Sequence, residues 1–585
     1  MTTKFKKAVV CGVERLRAWS DMLDHMNVFP VPDGDTGRNL SLTLAPLLSL
    51  SDDAERKRIV QQIVRNAYGN AGNIAAQFFA GFLTAEVGRG LYSAACLGRD
   101  YAWAAVQDPQ PGTMLTVFSS LPEALQSDDF LEVDHFIQVS KHLEEVVRET
   151  RELLPELRQH GVVDAGALGA FIFLETFFHR YTERAYSLTP VNRKFQGLIK
   201  TNGPMEATDQ GYCINAVLQS DQISESSVKN LAHWGGNLVL SSDDDYLSLH
   251  VHAKDANAAK RRIESLGHLV SWAEEDMSAQ IGPQNKGLSN SIHLVTDAAG
   301  SLTREDAKYY GFTLLDSYIL DGSAAFPETL CSPPRLYEAM KWGRMISTSQ
   351  ASVYERQQHY QSVLSRYEKV LYLCVGSAYT GNYKVAKVWL EDNGFQDRMR
   401  LIDTGAASGR LGLSVLVTAC YAQNTDDFED LIRFALEALT NCREYIFLDR
   451  LHYLAKGGRL SKTSAFFGDL MHIRPVVSPT EQGASKVGVA RNEQSQLQFA
   501  RDGLEAFCGR GSSPVIMLEY TDNQEWVEKV AYDYIRDSFP TAGILLQSMS
   551  LTSAAHMGPG TWGISFLPES LACFLGERFG VNWFH

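Results

Sequence analysis

The spacing of apolar residues changes along this chain, and that change constrains the fold more than any other feature of the sequence. In the first 187 residues, apolar side chains such as Ile59, Ile63 and Ala67 recur at the spacing of one helix face. From Gly211 onward, apolar strand-like runs alternate with helical segments. A chain of 585 residues is also too long for a single hydrophobic core. Several domains of different fold class are therefore expected.

The same pattern predicts where the domains begin and end. Residues 1–187 predict an all-α domain, and residues 188–210 contain the proline and glycine residues typical of a linker. Residues 211–282 follow the order β-α-β-β-α-β of a small ferredoxin-like α+β unit. Residues 283–290 predict a second linker. The remaining segment, 291–585, predicts an α/β domain with buried strands.

Composition excludes several classes of protein. The net charge of −15 argues against nucleic acid as a partner, because binding to a phosphate backbone needs clustered lysine and arginine. The nine cysteines never form a C-x-x-C pair, which is typical of free thiols in a reducing compartment. No apolar run approaches the ~18–20 residues that span a bilayer, and no secretion signal opens the sequence. A cytoplasmic protein is therefore expected.

The segment Asn27-Val-Phe-Pro-Val-Pro-Asp33-Gly-Asp35-Thr-Gly37 places two carboxylates on one tight turn. Mg²⁺ prefers hard oxygen ligands and commonly binds one or two carboxylates together with nucleotide phosphates. Glycines in such a turn allow backbone conformations that other residues rarely adopt. Taken alone, Asp-Gly-Asp is more often a solvated turn, so further evidence is needed.

Three more small-residue turns stand between predicted helices. Gly69-Asn-Ala-Gly72-Asn73 precedes an apolar helix, and a glycine-rich helix start exposes backbone amides that suit phosphate. Gly112-Thr113 and Gly161-Val-Val-Asp164-Ala-Gly166 are similar turns. Each by itself is more often a helix cap.

Together these segments resemble the DhaL-like domain of dihydroxyacetone kinases, in the form carried by bacterial fatty acid kinases. The resemblance implies a barrel of antiparallel helices with the nucleotide at one end. It implies that Asp33 and Asp35 are the catalytic carboxylates, which hold Mg²⁺ together with Asn27. It also implies that ATP or ADP is bound by Thr36, Gly37, Arg38, Asn39, Gly69, Asn70, Gly72, Gly112, Thr113 and Asp164.

The sequence departs from the family pattern beside the phosphates. Arg38 and Leu40 replace a threonine and a methionine, and Tyr68 and Ala71 replace an arginine and a serine. The turn that usually ends Gly-Gly-Lys-Gly is Gly166-Ala-Leu-Gly. These changes remove a hydroxyl and two cations, of which Arg38 would restore one. Both an active and a degenerate kinase domain stay open at this stage.

The middle segment carries a possible metal site. In the strand predicted over Tyr246–His252, alternate residues share a face, so His250 and His252 point the same way. Cys213 lies on a strand that could be a neighbour. Two imidazoles and a thiolate suit Zn²⁺, although exposed histidines and a buried free cysteine would give the same pattern. The middle domain of fatty acid kinases carries a similar Cys…His-x-His set, and this resemblance favours metal binding.

Four short strings mark the C-terminal segment: Thr348-Ser-Gln-Ala-Ser, Val375-Gly-Ser-Ala-Tyr-Thr-Gly, Leu454-Ala-Lys-Gly-Gly-Arg-Leu-Ser and His556-Met-Gly-Pro-Gly. Hydroxyls, one arginine and one histidine are groups that hold a carboxylate through charge-assisted hydrogen bonds. Any one string could be a capping turn or a surface loop, and Arg459 alone would be typical of a surface ion pair.

Together the four strings resemble the DegV family of fatty-acid-binding proteins. The resemblance implies two α/β lobes with a lipid between them. It implies that the fatty acid carboxylate is bound by Thr348, Ser349, Ser377, Thr380, Arg459 and His556. The opening Asp297-Ala-Ala-Gly-Ser-Leu departs from the usual Asp-Ser-Thr-Ala-Asp-Leu, so a second hydroxyl near the head group is not expected from this segment.

The two resemblances on one chain predict an ATP- and Mg²⁺-dependent kinase that converts a bound long-chain fatty acid to an acyl phosphate. Two alternatives stay open: a lipid-binding protein with a degenerate kinase domain, and a kinase for a small ketone such as dihydroxyacetone. The downstream user of an acyl phosphate, the chain length of the lipid and a possible homodimer cannot be inferred from the sequence.

Overall fold

A computed structural model describes the chain at residues 3–29, 34–50, 55–85, 90–126, 133–183, 188–199, 211–219, 236–277, 291–322, 324–456 and 474–572. The chain divides into two compact units. The first comprises residues 1–284 with 358–365, and the second comprises residues 285–357 with 366–585. The linker predicted over 283–290 lies outside the described residues.

The first part of the first unit is built from helices, as predicted. They are α1 (Thr3–Ala18), α2 (Ser20–His25), α3 (Thr36–Leu44), α4 (Arg56–Arg65), α5 (Gly69–Phe82), α6 (Leu91–Ala104), α7 (Met114–Leu125), α8 (Val133–Leu153), α9 (Pro155–His160), α10 (Ala165–Tyr181) and α11 (Val191–Lys194). Helix α10 is almost wholly buried, because its sequence is apolar on every face. Rings from α1, α5 and α10 pack together, as in the edge contact between Phe5 and Phe177. The all-α class is confirmed.

The linker predicted over 188–210 begins as part of this helical domain, so that boundary is wrong for its first residues. Val191 and Phe195, four residues apart across α11, are both fully buried in the helical core. Their spacing is that of a helix face, whereas the proline and glycine residues of this segment favour a linker. Residues 200–210 lie outside the described part of the chain.

The middle domain is a four-stranded antiparallel sheet. Its elements are β1 (Tyr212–Gln219), β2 (Gly236–Ser242), β3 (Tyr246–Ala253), α12 (Ala256–Glu264) and β4 (Leu269–Asp276). The strand order β2-β3-β1-β4 is that of a ferredoxin-like fold and confirms the predicted class. The helix expected between β1 and β2 lies in residues 220–235, outside the described residues.

The two faces of this sheet differ in chemistry. Ile214 and Leu249 on one face pack with Ile263 of α12 in a small apolar core. The other face carries polar side chains and meets the helical domain. The edge strand β2 is covered there, because Leu240 N donates to Ala105 O at 2.9 Å and Val239 is buried in the helical core. A covered edge strand cannot pair with another chain.

The second unit contains three sheets of different topology. Its strands are β5 (Ile292–Asp297), β6 (Phe312–Leu315), β7 (Ser317–Asp321), β8 (Ala324–Pro327), β9 (Ile346–Gln350), β10 (Lys369–Cys374), β11 (Met399–Asp403), β12 (Arg443–Phe447), β13 (Arg474–Thr480), β14 (Gly483–Ala490), β15 (Val515–Tyr520), β16 (Gly543–Ser548) and β17 (Trp562–Leu567). The sheets are a parallel one (β11-β10-β5-β6), a mixed one (β14-β13-β12-β17-β15-β16) and a small antiparallel one (β8-β7-β9).

Helices cover these sheets and connect successive strands. They are α13 (Arg304–Tyr310), α14 (Pro333–Lys341), α15 (Val353–Arg366, of which residues 358–365 belong to the first unit), α16 (Asn382–Asn393), α17 (Ser408–Ala422), α18 (Phe428–Asn441), α19 (Leu451–Lys456), α20 (Glu493–Cys508), α21 (Gln524–Trp526), α22 (Tyr532–Ser538), α23 (Leu551–Met557) and α24 (Glu569–Ala572). Helix α17 packs on the parallel sheet through β5 and on the mixed sheet through β15 and β17. The predicted α/β class is confirmed. Within the described residues, no helix has both the length and the apolar character needed to cross a bilayer.

Candidate functional site

The turn that precedes α3 is held by a residue that the sequence motifs did not single out. Asp24 on α2 accepts hydrogen bonds through Oδ1 from Gly37 N at 2.6 Å and Arg38 N at 3.0 Å. Asp24 therefore caps α3, whereas Asp35 occupies the N-cap position without a side-chain cap bond. The Asp35 carboxylate, 9% exposed, is not needed to cap the helix. A Cβ on Gly37 would lie 2.1 Å from Ser20 O, so only glycine fits there.

Helices α3, α5 and α10 approach one another closely in the helical domain. A Cβ on Gly69 at the start of α5 would meet Asn39 Nδ2 at 2.0 Å, and one on Gly72 would meet Thr43 Oγ1 at 2.3 Å. A Cβ on Gly169 of α10 would lie 2.7 Å from Leu40 Cδ1 of α3. The residues predicted to bind nucleotide on α3 and α5 are thus brought together. Helix N-termini carry partial positive charge, which favours phosphate.

Two amide oxygens in this region are buried and lack a hydrogen-bond partner among the described residues. They are Asn39 Oδ1 and Asn70 Oδ1. An orphaned buried acceptor is costly, so it indicates a missing partner. A carbonyl oxygen accepts hydrogen bonds or binds a cation, and both properties suit Mg²⁺ with its bound water. Together with Asp35 these atoms fit a magnesium–nucleotide site.

The other predicted nucleotide residues lie at the starts of α3, α7 and α10. Thr36 is buried in the first turn of α3. Gly112 N donates to Thr116 Oγ1 at 2.7 Å, and Thr113 caps α7. Asp164 caps α10 by accepting from Ala167 N at 2.6 Å, and burial raises its pKa to about 7. Asn27 is buried at 5% exposure.

Two residues that depart from the family pattern, Arg38 and Tyr68, contact a carboxylate of the middle domain. Arg38 lies 3.6 Å from Glu275 Oε1 in an ion pair, and the Tyr68 hydroxyl donates to the same oxygen at 3.0 Å. Burial, followed by the charge of Glu275, raises the pKa of Tyr68, so the phenol keeps its proton and remains a donor. Asp33 lies outside the described residues, so its predicted role stays a prediction.

The structure places the three candidate metal ligands on one face of the middle sheet. Cys213 pairs with His252 across β1 and β3, and Asn215 pairs with His250. One potential ligand atom from each of Cys213, His250 and His252 lies within 4.8 Å of the others, and all three residues are buried. Burial, reinforced by the neighbouring imidazole, lowers the pKa of His250 well below its usual range. Two imidazoles and a thiol in this arrangement match the donor set that Zn²⁺ prefers.

A largely apolar cavity with a volume of about 60 Å³ lies in the second unit. Ligand sites commonly have apolar walls and a few polar groups that fix orientation. The lining residues include Val375, Ile446 and Leu454 among the apolar ones, and Thr380 and His556 among the polar ones. The cavity therefore fits a molecule with an apolar body and one polar end.

One pair of predicted carboxylate-binding residues is brought together at this cavity. Thr348 Oγ1 on β9 lies 2.9 Å from His556 Nε2 on α23. Ser349 follows on β9, whereas Ser377 is exposed and its amide donates to Asp403. Arg459 lies outside the described residues, so its role stays a prediction.

Sequence reasoning missed polar residues that line the cavity: Ser317, Ser408, Thr552 and Ser553. The signal for two of them was available, because Thr552 and Ser553 stand about one helical turn before His556 on α23. Ala299 also lines the cavity, where the family pattern has a hydroxyl, and Ser317 places another hydroxyl in the cavity wall. Asp24, Asn215 and Glu275 were missed as well.

Two buried glutamates lie behind the cavity wall at the start of α17. Glu444 Oε1 accepts from Ser408 Oγ at 2.8 Å and from Gly409 N at 3.1 Å. The Glu519 carboxylate is close to the same turn, because a Cβ on Gly409 would lie 2.3 Å from its Oε2. Burial and then the neighbouring carboxyl raise the pKa of Glu444 well above its usual range, and burial raises that of Glu519.

Replacing Glu519 with glutamine is expected to raise the melting temperature at pH 8 by about 2 °C or more. A folded-state pKa above the unfolded value gives stability that is complete below the unfolded pKa and is lost as pH rises through the folded pKa. Glutamine does not titrate, so the variant does not lose this stability as the pH rises. The difference in melting temperature between variant and wild type should therefore shrink toward pH 4. Calorimetry across this pH range, with the exposed Glu437→Gln as control, measures the effect. A gap that stays constant with pH would contradict it.

Family models match three consecutive segments. The DAK2 domain matches residues 30–179, the FakA-like middle domain of fatty acid kinases matches residues 209–283, and the DegV family matches residues 291–569. The chain combines a DAK2 domain, a FakA-like middle domain and a DegV domain. These domains support a function in fatty acid phosphorylation or binding in general terms.

Curated relatives cover only part of this architecture. An uncharacterized protein of Staphylococcus haemolyticus is 28% identical over 309 residues, which are 47% of this chain and 55% of that protein. Protein YloV of Bacillus subtilis is 27% identical over 305 residues, again 47% of this chain and 55% of the relative. The chain thus spans about half the length of these relatives.

Among solved structures, similar chains match the DegV domain. A fatty-acid-binding DegV family protein of Thermus thermophilus is 22% identical, with a TM-score of 0.45, and the match covers 48% of this chain and 99% of that one. The fatty-acid-binding protein DegV of Bacillus subtilis is 20% identical, with a TM-score of 0.44, over 47% of this chain and 99% of that one.

Proposed function

We propose that this chain transfers the terminal phosphoryl group of ATP to the carboxylate of a long-chain fatty acid. One observation carries the proposal: an acidic site at helix N-termini in the DAK2 domain and an apolar cavity with a polar end in the DegV domain belong to one chain. The match of the middle domain to the FakA-like domain of fatty acid kinases supports the same activity. A carboxylate is thereby favoured over a small ketone as the acceptor.

The reaction requires little covalent chemistry from the protein. A fatty acid carboxylate is ionised at neutral pH, so no general base has to remove a proton from it. One carboxylate oxygen forms a bond to the γ-phosphorus of ATP, and the bond from that phosphorus to the β-phosphate oxygen breaks. The products are an acyl phosphate and ADP. Catalysis of such a step depends on positioning and on neutralising charge.

In the DAK2 domain, Asp35 would hold Mg²⁺ together with Asp33, and the amide oxygens of Asn39 and Asn70 would accept from bound water. Magnesium supplies positive charge that offsets the charge of the phosphates. The first turns of α3, α5, α7 and α10 add their partial positive charge at the same end of the domain. Asp24 keeps the start of α3 in place, because it occupies the amides of Gly37 and Arg38.

In the DegV domain, the apolar walls of the cavity would bury the lipid chain. The paired hydroxyl and imidazole of Thr348 and His556 would donate hydrogen bonds to the carboxylate, and Arg459 would add a cation. Hydrogen bonds to a charged group are stronger than those to a neutral one. Burial of each methylene adds about 0.8 kcal/mol, so a long chain is favoured over a short one.

In the middle domain, Cys213, His250 and His252 would hold Zn²⁺. Three protein ligands leave a fourth position on a tetrahedral ion, which a water or a substrate group can take. The polar residues around the three ligands, chiefly Asn215 and Asn237, orient the imidazoles.

The proposed activity is tested by trapping the product. The purified chain is incubated with ATP, Mg²⁺, oleate and hydroxylamine, which converts an acyl phosphate to a hydroxamate. With hydroxylamine present, hydroxamate is expected only when ATP, Mg²⁺ and oleate are all added, with one ADP formed for each hydroxamate. Turnover of dihydroxyacetone without turnover of oleate would replace this proposal with a small-ketone kinase. If oleate binds but no ADP forms, the chain is a lipid-binding protein with a degenerate kinase domain.

A further inference from the structure

Asn215 lies between the candidate metal ligands and the phosphate loop, defined as residues 69–72. Its Oδ1 lies 3.0 Å from His250 Nδ1 and accepts a hydrogen bond from Gly69 N at 2.8 Å. Its Nδ2 lies 3.8 Å from Cys213 Sγ. The side chain is 5% exposed, so these contacts form away from solvent. One amide group therefore contacts two candidate metal ligands and the start of α5 together.

The orientation of the histidines indicates which ring nitrogen would bind a metal. His250 Nε2 and His252 Nε2 lie 3.1 Å apart, a separation that one ion between them would bridge. With a metal on Nε2, His250 Nδ1 would carry the ring proton and donate a hydrogen bond to Asn215 Oδ1, while Cys213 Sγ lies 3.8 Å from the same nitrogen. A metal-bound histidine commonly donates its other N–H to a carbonyl oxygen, which fixes the tautomer and the ring orientation. Asn215 meets that description.

The phosphate loop depends on the same amide oxygen. Gly69 has a φ of +65°, and a Cβ there would meet Asn39 Nδ2 at 2.0 Å, so the turn is tightly constrained. The amides of a first helical turn have no intrahelical acceptor. Two of them are taken by side chains, since Tyr68 N donates to Thr43 Oγ1 at 3.2 Å and Gly69 N to Asn215. Among the described residues no acceptor is found for the amides of Asn70 and Ala71, which leaves these two to bind phosphate.

We propose that Asn215 is a positioning residue that couples metal binding at His250 and His252 to the conformation of the phosphate loop. A metal on Nε2 fixes the His250 ring, the ring fixes Asn215, and Asn215 holds the Gly69 amide. The loop is then kept in the shape that leaves the next two amides facing the nucleotide. The consequence for phosphoryl transfer rests on the kinase function proposed above, whereas the coupling itself does not.

The residues that depart from the family pattern strengthen this arrangement. Arg38 in the first turn of α3 and Tyr68 just before α5 both contact Glu275 of β4. Behind them, Ser241 Oγ donates to the buried Asn73 Oδ1 at 2.7 Å. The middle domain is therefore attached to α3 and α5 at several points around the loop. Tyr68 stands where the family pattern has an arginine. In this chain it contacts the middle domain instead of supplying a cation beside the phosphate loop.

Hydrogen exchange of the full chain tests the coupling without any nucleotide. Exchange of the peptide containing residues 69–72 is compared after loading with Zn²⁺ and after chelation with EDTA. Zinc is expected to slow exchange about fivefold or more in the wild type, in the range of ordinary coupling between sites. Asn215→Ala is expected to abolish that difference. Equal zinc responses in both proteins, or none in the wild type, would overturn the proposal.

A matched variant separates the coupling from a general loss of metal affinity. Asn237 Nδ2 lies 3.3 Å from His252 Nδ1, so it also supports a histidine, but no hydrogen bond to the phosphate loop is found for it among the described residues. Because Asn237 has a φ of +53°, glycine is the replacement that avoids strain. Asn237→Gly is expected to keep the zinc response of the loop once the site is saturated, and its loss would overturn the proposal.

A second variant keeps the test decisive if Asn215→Ala does not fold. Glu275→Gln removes the ion pair with Arg38 and is expected to weaken the zinc response, whereas Glu264→Gln at an exposed position of α12 is expected to leave it unchanged. Identical zinc responses of Glu275→Gln and Glu264→Gln would contradict a role of the Glu275 contact in attaching the middle domain around the phosphate loop. A chain that forms no hydroxamate but shows the zinc response would end the kinase proposal and leave the coupling standing.

Discussion

Replacing Asp35 with alanine is expected to lower acyl phosphate formation about a hundredfold to a thousandfold, which is the effect of removing one preorganised electrostatic group from an active site. Asp35 would hold Mg²⁺, and charge neutralisation is the main contribution of the protein to phosphoryl transfer. The amount of oleate that the DegV domain binds should stay the same. The measurements are hydroxamate formation and oleate binding on the same preparations.

Two controls separate this effect from damage to the fold. Asp100→Ala removes an exposed carboxylate of α6 and should leave the activity unchanged. Asp24→Asn keeps an oxygen that can accept from Gly37 N and Arg38 N, and asparagine is as good a helix cap as aspartate. Asp24→Asn should therefore lower acyl phosphate formation less than Asp35→Ala does. Equal activity of Asp35→Ala and the wild type would exclude Asp35 from the reaction.

The elements of the fold were largely predictable because they follow local hydrophobic spacing. The strand expected over Tyr246–His252 is β3, Tyr246–Ala253, in the structure. The shared face of His250 and His252 followed from alternation along one strand. Val191 and Phe195 show the limit of this reasoning, because two apolar residues in a proline- and glycine-containing segment were taken for part of a linker.

The residues that organise the site were not predictable, because their partners are distant in the sequence. Asn215 and Gly69 are 146 positions apart, and Tyr68 and Glu275 are 207 positions apart. No local pattern records which strand of the middle domain meets which helix of the DAK2 domain. For the same reason, the departures at Arg38 and Tyr68 indicated a loss of phosphate contacts, whereas the structure gives both residues a carboxylate partner. Asp33 and Arg459 stay predictions of the sequence.

Replacing His556 with alanine is expected to weaken fatty acid binding about ten- to a hundredfold, which corresponds to one hydrogen bond to a charged group. Thr348 Oγ1 and His556 Nε2 lie 2.9 Å apart, so each orients the other toward a carboxylate. Thr348→Val should have a smaller effect, because it removes only a hydroxyl, and the exposed Thr440→Val should have none. Displacement of a fluorescent fatty acid gives the affinities.

The methyl ester of the same fatty acid isolates the contribution of the carboxylate, because it keeps the apolar chain and removes the charge. Wild type should bind the acid more tightly than the ester, and His556→Ala should bind the two with similar affinity. The apolar walls of the cavity are the same in both proteins, so the affinity for the ester should change little. If His556→Ala still prefers the acid as strongly as the wild type does, the carboxylate lies elsewhere in the cavity and Arg459 becomes the principal candidate for its partner.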